Sequence, residues 1–144
     1  MLIKYIYCIL GLSSFCRYEI SVTKNMSKEI TIKKKFIHKD LAAGRWSQMS
    51  LAEQLGNVGS EVGRAANWTV KGNDKQSNRA LDRAFDLLDL TIGDKRWVGS
   101  KLKELCRVRE VLADTFYGDR AYGATPQSME KYFYHYAVEA RNNV

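Results

Sequence analysis

The chain has 144 residues, 45% hydrophobic and 27% charged, enough for one domain with a real core and too few for two ordinary domains. Cys8, Cys16 and Cys106 form no Cys-x-x-Cys pair, and with His38 and His135 as the only histidines no recognisable zinc motif can be assembled. No metal or cofactor is expected, and the thiols imply a reducing, cytoplasmic setting.

The net charge of +7 is uneven: residues 1–40 hold 8 Lys/Arg against 3 Asp/Glu, and residues 41–144 hold 15 against 13. Residues 1–16 look superficially like a signal peptide, with Lys4 ahead of Ile6, Cys8, Ile9, Leu10 and Leu12. The apolar run is too short to span a bilayer, and Phe15 stands where a small residue is wanted before Cys16. The expected account is an upstream start codon, with Met26 opening the natural chain as Met-Ser-Lys-Glu. Lys33, Lys34, Lys35 and Lys39, beside Phe36 and His38, make a short basic segment. It reads either as a solvated arm or as a contact to phosphates, which are held electrostatically without fixed geometry. Residues 1–45 are expected to form a flexible basic extension, and residues 46–144 the folded domain.

Ser50 and Glu53 fit a capping box, which opens a first helix that stops at Gly72, a natural left-handed cap. Within it Leu51, Leu55, Val58, Val62 and Ala65 make one stripe, and Ala52, Gly56, Gly59, Gly63 and Ala66 make a second, small one. Glycine in a helix interior costs about 1 kcal/mol relative to alanine, so Gly56, Gly59 and Gly63 predict the close approach of another helix. They follow no strand, which excludes a nucleotide-binding glycine loop. Asn73 or Asp74 caps a second helix with Leu81, Phe85, Leu88 and Ile92 on one face, ending at Gly93. Ser100 is predicted to cap a third, with Leu102, Leu105, Arg109, Leu112 and Phe116 inward, closed by Gly118. Thr125-Pro126 opens a fourth, with Met129, Tyr132, Phe133, Tyr136, Ala137 and Ala140 inward. Four amphipathic helices with short connections predict an all-α fold, an antiparallel four-helix bundle preceded by the basic arm.

Arg109 on an apolar stripe needs an acidic partner or an opening to solvent. Asp82, Asp86 and Asp89 line the second helix, but Glu61, flanking the glycine stripe, is the preferred partner. Glu61, Arg109 and Glu110 are thus the candidate buried polar network, read either as a pair that fixes helix register or as a binding or catalytic site. Arg79 with Asp82, and Arg83 with Asp86, have the spacing of weak surface pairs. Residues 132–136 form an unbroken aromatic and histidine run that cannot all face one core. Tyr134, Tyr117 and Trp97, with Trp46 and Trp68, are therefore candidates for a partner surface.

The stretches Glu53-Gln54-Leu55-Gly56-Asn57-Val58-Gly59-Ser60-Glu61-Val62-Gly63-Arg64-Ala65, Arg83-Ala84-Phe85-Asp86-Leu87-Leu88-Asp89-Leu90-Thr91-Ile92 and Lys103-Glu104-Leu105-Cys106-Arg107-Val108-Arg109-Glu110-Val111-Leu112 resemble an uncharacterised family of small prokaryotic helical-bundle proteins. The resemblance covers about residues 46 to 142 and carries no activity. More loosely, the architecture is similar to the four-helix-bundle family of ribosomal intervening-sequence proteins and the accessory variability determinant of diversity-generating retroelements. That likeness implies basic, ring-forming bundles that bind nucleic acid and a reverse transcriptase. HEPN ribonucleases are a poor match, because no arginine here is followed four to six positions later by histidine.

Three functions follow. The first is a non-enzymatic accessory protein that docks on a protein partner or self-associates. The second is a nucleic-acid accessory protein, in which Lys33, Lys34, Lys35 and Lys39 act with Lys95, Arg96, Lys101 and Lys103. The third is an enzyme built on Glu61, Arg109 and Glu110. No membrane partner and no small-molecule substrate is expected.

Overall fold

Helix α1 (Leu51–Val70) is bounded by the two devices its sequence announces. Ser50 Oγ accepts from the Glu53 amide at 3.2 Å, and the Glu53 carboxylate accepts from the Ser50 amide at 2.7 Å. At the other end Gly72 takes a φ of 67°, and the Asn73 amide reaches back to the Trp68 carbonyl at 2.9 Å, satisfying a carbonyl the helix leaves open. Asn73 then caps α2 (Asp74–Ile92) by accepting from the Gln76 amide at 3.1 Å. Helices α3 (Ser100–Tyr117) and α4 (Pro126–Asn142) follow. Thr125 and Ser128 cap α4 reciprocally, each hydroxyl accepting the other's amide at 3.1 and 2.9 Å. Pro126 takes the first position, where a missing N–H costs nothing.

The computed structural model describes residues 37–142, and among them the fold is all-helical, with no strand. Two details differ from the sequence expectation. Ser100 is the first residue of α3 and makes no cap bond; Gly99, at φ 63°, occupies the cap position because only a left-handed residue turns the chain there. The folded unit also starts at His38 rather than at residue 46. Residues 41–48 form a π-helical turn, bent at Gly44, and a 3₁₀ turn. They lay Trp46, only 3% exposed, into the core, where its indole donates to Thr91 Oγ1 at 3.2 Å. Lys33, Lys34, Lys35 and the Met26 start lie outside the described residues.

The small stripe of α1 meets α4. A methyl group at Gly56 would lie 3.2 Å from Ala137 Cα, one at Gly59 2.5 Å from Phe133 Cβ, and one at Gly63 3.2 Å from the Glu130 carboxylate. The pairing order reverses along the two chains, so α1 and α4 run in opposite directions. On the other side of α1, Ala65 packs with Ala80 and Leu81, while Leu55, Val58 and Val62 share a core with Ala84, Leu87 and Leu88. Small residues on both sides let α2 and α4 close tightly on α1. Helix α3 packs on α2 and α4 at a greater distance, filling the gap with Leu105, Val108 and Leu112. Phe133, with no exposure, sits where α4 and α1 touch.

These contacts order the glycines by consequence. Gly59→Ala is expected to destabilise the fold by about 2 to 3 kcal/mol, because the new methyl overlaps a branch point that cannot rotate away. Gly63→Ala meets only the flexible end of Glu130 and gains helix propensity, so it is expected to fall within about 1 kcal/mol of the parent. Urea titration of both variants reads the difference.

Candidate functional site

The polar groups predicted to meet in one place are divided among separate pairs. Arg109, 6% exposed, donates from Nε to Asp89 Oδ1 at 2.6 Å, and its guanidinium lies 5.4 Å from the centre of the Phe85 ring. Glu61 is not its partner. The two Glu61 oxygens accept from Arg64 and, at 2.9 Å, from Arg83 Nε. The reason is placement: α3 packs on α2 and α4, so an arginine on α3 meets the carboxylates of α2, whereas Glu61 on α1 meets Arg83. Glu110 is engaged elsewhere again, accepting from the Tyr122 hydroxyl at 2.6 Å. That hydrogen bond, followed by burial and the Glu110 charge, raises the Tyr122 hydroxyl above the ordinary tyrosine range. Together with an amide bond from Tyr122 to Asp114, this contact ties the α3–α4 loop to α3.

The predicted surface pairs also rearrange. Arg83 turns to Glu61, and Asp86, 6% exposed, accepts from both the backbone amide and Nδ1 of His38 at 3.0 and 2.9 Å. Arg79 and Asp82 form no ion pair. Pairs three residues apart on one helix contribute only tenths of a kcal/mol, so a better placed partner on another element displaces them.

A second polar assembly closes the end of the molecule where α1 begins and α2 ends. Gln54, with no exposure, donates from Nε2 to the Trp46 carbonyl at 2.8 Å and to Asp94 Oδ2 at 3.1 Å, and its Oε1 accepts from the Trp97 indole at 2.9 Å. Asp94 holds the Arg96 guanidinium, Nη2 at 2.7 Å and Nε at 3.1 Å, and Arg96 Nη2 also donates to the Met49 carbonyl at 2.8 Å. The Arg96 side chain, followed by its backbone amide and Gln54, holds the Asp94 carboxyl down at about 2 against the opposing effect of burial. The same contact raises the Arg96 guanidinium. No buried side-chain polar atom among the described residues lacks a partner.

Of the expected phosphate-binding cations, Arg96 is therefore a structural clamp. Lys95, Lys101, Lys103 and Lys39 are exposed and form no ion pair. Of the expected partner surface, Trp97 is half-buried beneath Arg96 and Lys101, whose charges lie 4.6 and 5.4 Å from its ring centre. Tyr117 is half-buried and stacked on Phe85 at 6.2 Å. Burial, and then the Asp82 charge, push its hydroxyl up to about 12. Tyr134 alone of the three stands out, 61% exposed. Trp46 is in the core. Burial likewise raises the Tyr132 hydroxyl, which lies 3.3 Å from that of Tyr136.

Sequence reasoning missed Gln54, Asp94 and His38. Gln54 carried a signal, since it falls between Leu51, Leu55 and Val58 on the buried face, where an amide must find partners. His38 and Asp94 lie outside the periodic segments and carried none. Among the described residues no cluster of three or more His, Cys, Asp or Glu could hold a metal ion, and no helix is long and apolar enough to cross a membrane. No protein-family model matches the chain, and neither a curated protein nor a solved structure is detectably similar to it.

Two outcomes test the roles of these pairs. The Asp94 carboxyl titrates lower in the folded chain than its ordinary 3.8, so its contribution is present above about pH 4 and fades as pH falls toward 2. Asp94→Asn is expected to cost about 1 kcal/mol at pH 7 at this partly solvated site, with the gap to the parent closing toward pH 2 in acid unfolding curves. Asp89→Ala is expected to cost about 3 kcal/mol by leaving the Arg109 guanidinium without its carboxylate, and adding Arg109→Met to recover most of that loss. Chemical denaturation of the single and double variants measures both.

Proposed function

We propose that the folded unit is an antiparallel four-helix bundle that works as a non-enzymatic accessory protein, docking on a protein partner or on a second copy of itself. The observation that carries this reading is the use made of the inner polar side chains. Gln54, Glu61, Asp86, Asp89, Asp94 and Arg109 are each bonded across elements, joining α1 to α2 or to the loop after it, α2 to α3, and His38 to α2. Groups committed to holding helices together have little freedom to bind and turn over a substrate without loosening the fold. Tyr134, 61% exposed, stands on a helix locked to α1 by glycine contacts, so it is presented from a rigid base, whereas Tyr122, 50% exposed, lies in a loop. Tyrosine held in this way supplies contact area at low entropic cost. The resemblance to small prokaryotic helical bundles, and a reducing, cytoplasmic setting, belong to the same reading.

A photo-crosslinking residue in place of Tyr134 is expected to give a discrete protein adduct in cells, while the same probe at Lys75, at the opposite end of α2 from its C-terminal loop, gives none. Tyr134→Ala is expected to leave the unfolding midpoint unchanged and to weaken the captured complex by about 2 kcal/mol, as loss of an interface anchor does. Absence of any adduct, with a monomer by light scattering at every concentration, overturns the proposal.

A further inference from the structure

The geometry points to a second copy of this chain as the partner of the Tyr134 face, held by an antiparallel contact between the two α4 helices about a two-fold axis. The inference rests on the reading that Tyr134 docks, and it chooses between the two occupants that reading leaves open.

The first step is spacing. Glu130, Tyr134, Val138 and Arg141 follow one another at steps of four, four and three residues, which sets them within about 80° of each other around α4. Glu130 lies beside Gly63 of α1, so the stripe runs along the α1 side of α4, whereas Tyr132, which reaches Glu104 of α3, stands on the other side. Glu130, Tyr134 and Arg141 are exposed and Val138 is half-buried. Of the large apolar side chains exposed among the described residues, Ile37, Val98 and Tyr122 lie outside the four helices and Val70 is the last residue of α1. Tyr134 alone stands in the middle of a helix, with Val138 one turn further on.

The second step is charge. The stripe is acidic at one end, Glu130, and basic at the other, Arg141, and neither forms an ion pair among the described residues. Arg141, in the last turn, also suits the dipole of its own helix, but Glu130 lies past the first turn and gains nothing from it. A stripe with opposite charges at its two ends complements itself when reversed. Laid antiparallel on a second α4, each Glu130 meets the other copy's Arg141, and the apolar pair Tyr134 and Val138 lies between the two charge contacts.

The third step is fit. Glu130 and Arg141 are about 16 Å apart along the helix, so the two charge contacts fall about 8 Å to either side of the axis, within reach of long side chains when helix axes pack about 8 to 10 Å apart. Tyr134 is close to the midpoint, which brings the two rings to either side of the axis, about 4.5 Å apart along it, near enough for an offset aromatic pair. Such a contact uses the same face on both copies and closes at two, so it builds no ring. The rigid base that the glycine contacts give α4 means that neither copy has to order a helix in order to pair.

The test is sedimentation equilibrium of the full chain at about 50 mM salt, where surface charges are only partly screened, at concentrations up to about 500 μM. A single helix pair lies at the small end of specific interfaces, so a monomer in equilibrium with a dimer is expected, with dissociation in the micromolar range and no larger species. Tyr134→Ala is expected to weaken the dimer at least about thirtyfold, as loss of two interface anchors does. Glu130→Arg alone and Arg141→Glu alone each set like charges against each other at both ends, and each is expected to weaken it about tenfold. An equal mixture of these two variants pairs every arginine with a glutamate and is expected to dimerise as tightly as the parent, which separates lost contact from lost fold. A monomer at every concentration, a dimer indifferent to Tyr134→Ala, or charge variants that mixing does not rescue each overturn the inference. In cells, the Tyr134 adduct is expected at twice the mass of the chain. An adduct of any other mass overturns the two-fold pairing and leaves the docking role standing, whereas no adduct, with a monomer in solution, removes both.

Discussion

The contact between Gly59 and Phe133 is the constraint from which the rest of the arrangement follows. A methyl group at position 59 would come within 2.5 Å of Phe133 Cβ, so the two helices approach as closely as backbones allow. That approach drives the Phe133 ring, with no remaining exposure, past α1 and into the core. Burying a phenylalanine contributes about 1.5 to 3 kcal/mol, which offsets much of what three glycines in one helix cost. With α4 drawn in on one side and Ala65, Ala80 and Ala84 drawing α2 in on the other, α1 becomes the centre of the packing. Helix α3 is left to span a wider gap with leucine, valine and one arginine. Arg109 fits there because its long stem crosses the apolar gap while its fork reaches the rim of α2.

Helix α2 and the residue just past its end act as the common receiver of polar contacts. Asp86 takes His38, Asp89 takes Arg109, Thr91 takes Trp46, and Asp94 takes Gln54 and Arg96. These acceptors are spaced along less than one helix and bind the leading turn, α1, α3 and their own loop. Buried ion pairs add little net stability over apolar residues of the same shape, but breaking one is costly. Such pairs therefore specify register: a slide of α3 by one turn along α2 would strand a guanidinium in an apolar gap.

Much of this was legible because it was periodic. The capping residues Ser50, Asn73 and Thr125, the stop at Gly72 and the small stripe of α1 are local signals with local causes, and the structure follows each of them. The partner of Arg109 was not local. Glu61 and Asp89 both stand on helices near the core, and the choice between them depends on which helices are neighbours, which no spacing within one helix reveals. The same limit hid the role of Arg96, whose position in a loop between lysines reads as free charge until Asp94 and Met49 are seen to hold it. His38 was hidden differently. It stands beside four lysines, and composition assigned it to the arm, whereas a single buried carboxylate brings it into the fold.

The cations that are held differ in chemistry from those that are not. A guanidinium offers a planar fork that two oxygens can grip, and Arg96 and Arg109 are gripped in this way by Asp94 and Asp89, while Arg83 gives one bond to Glu61. An ammonium is a compact, well hydrated point charge that gains little from a fixed partner. Lys95, Lys101 and Lys103 remain in solvent beside a loop that four hydrogen-bonded side chains hold still. Lys101 alone of the three has a ring beneath it, that of Trp97 at 5.4 Å. Their ammonium groups stay hydrated at the surface, while the loop that carries Lys95 is fixed to α1 by the bonds of Arg96 and Trp97.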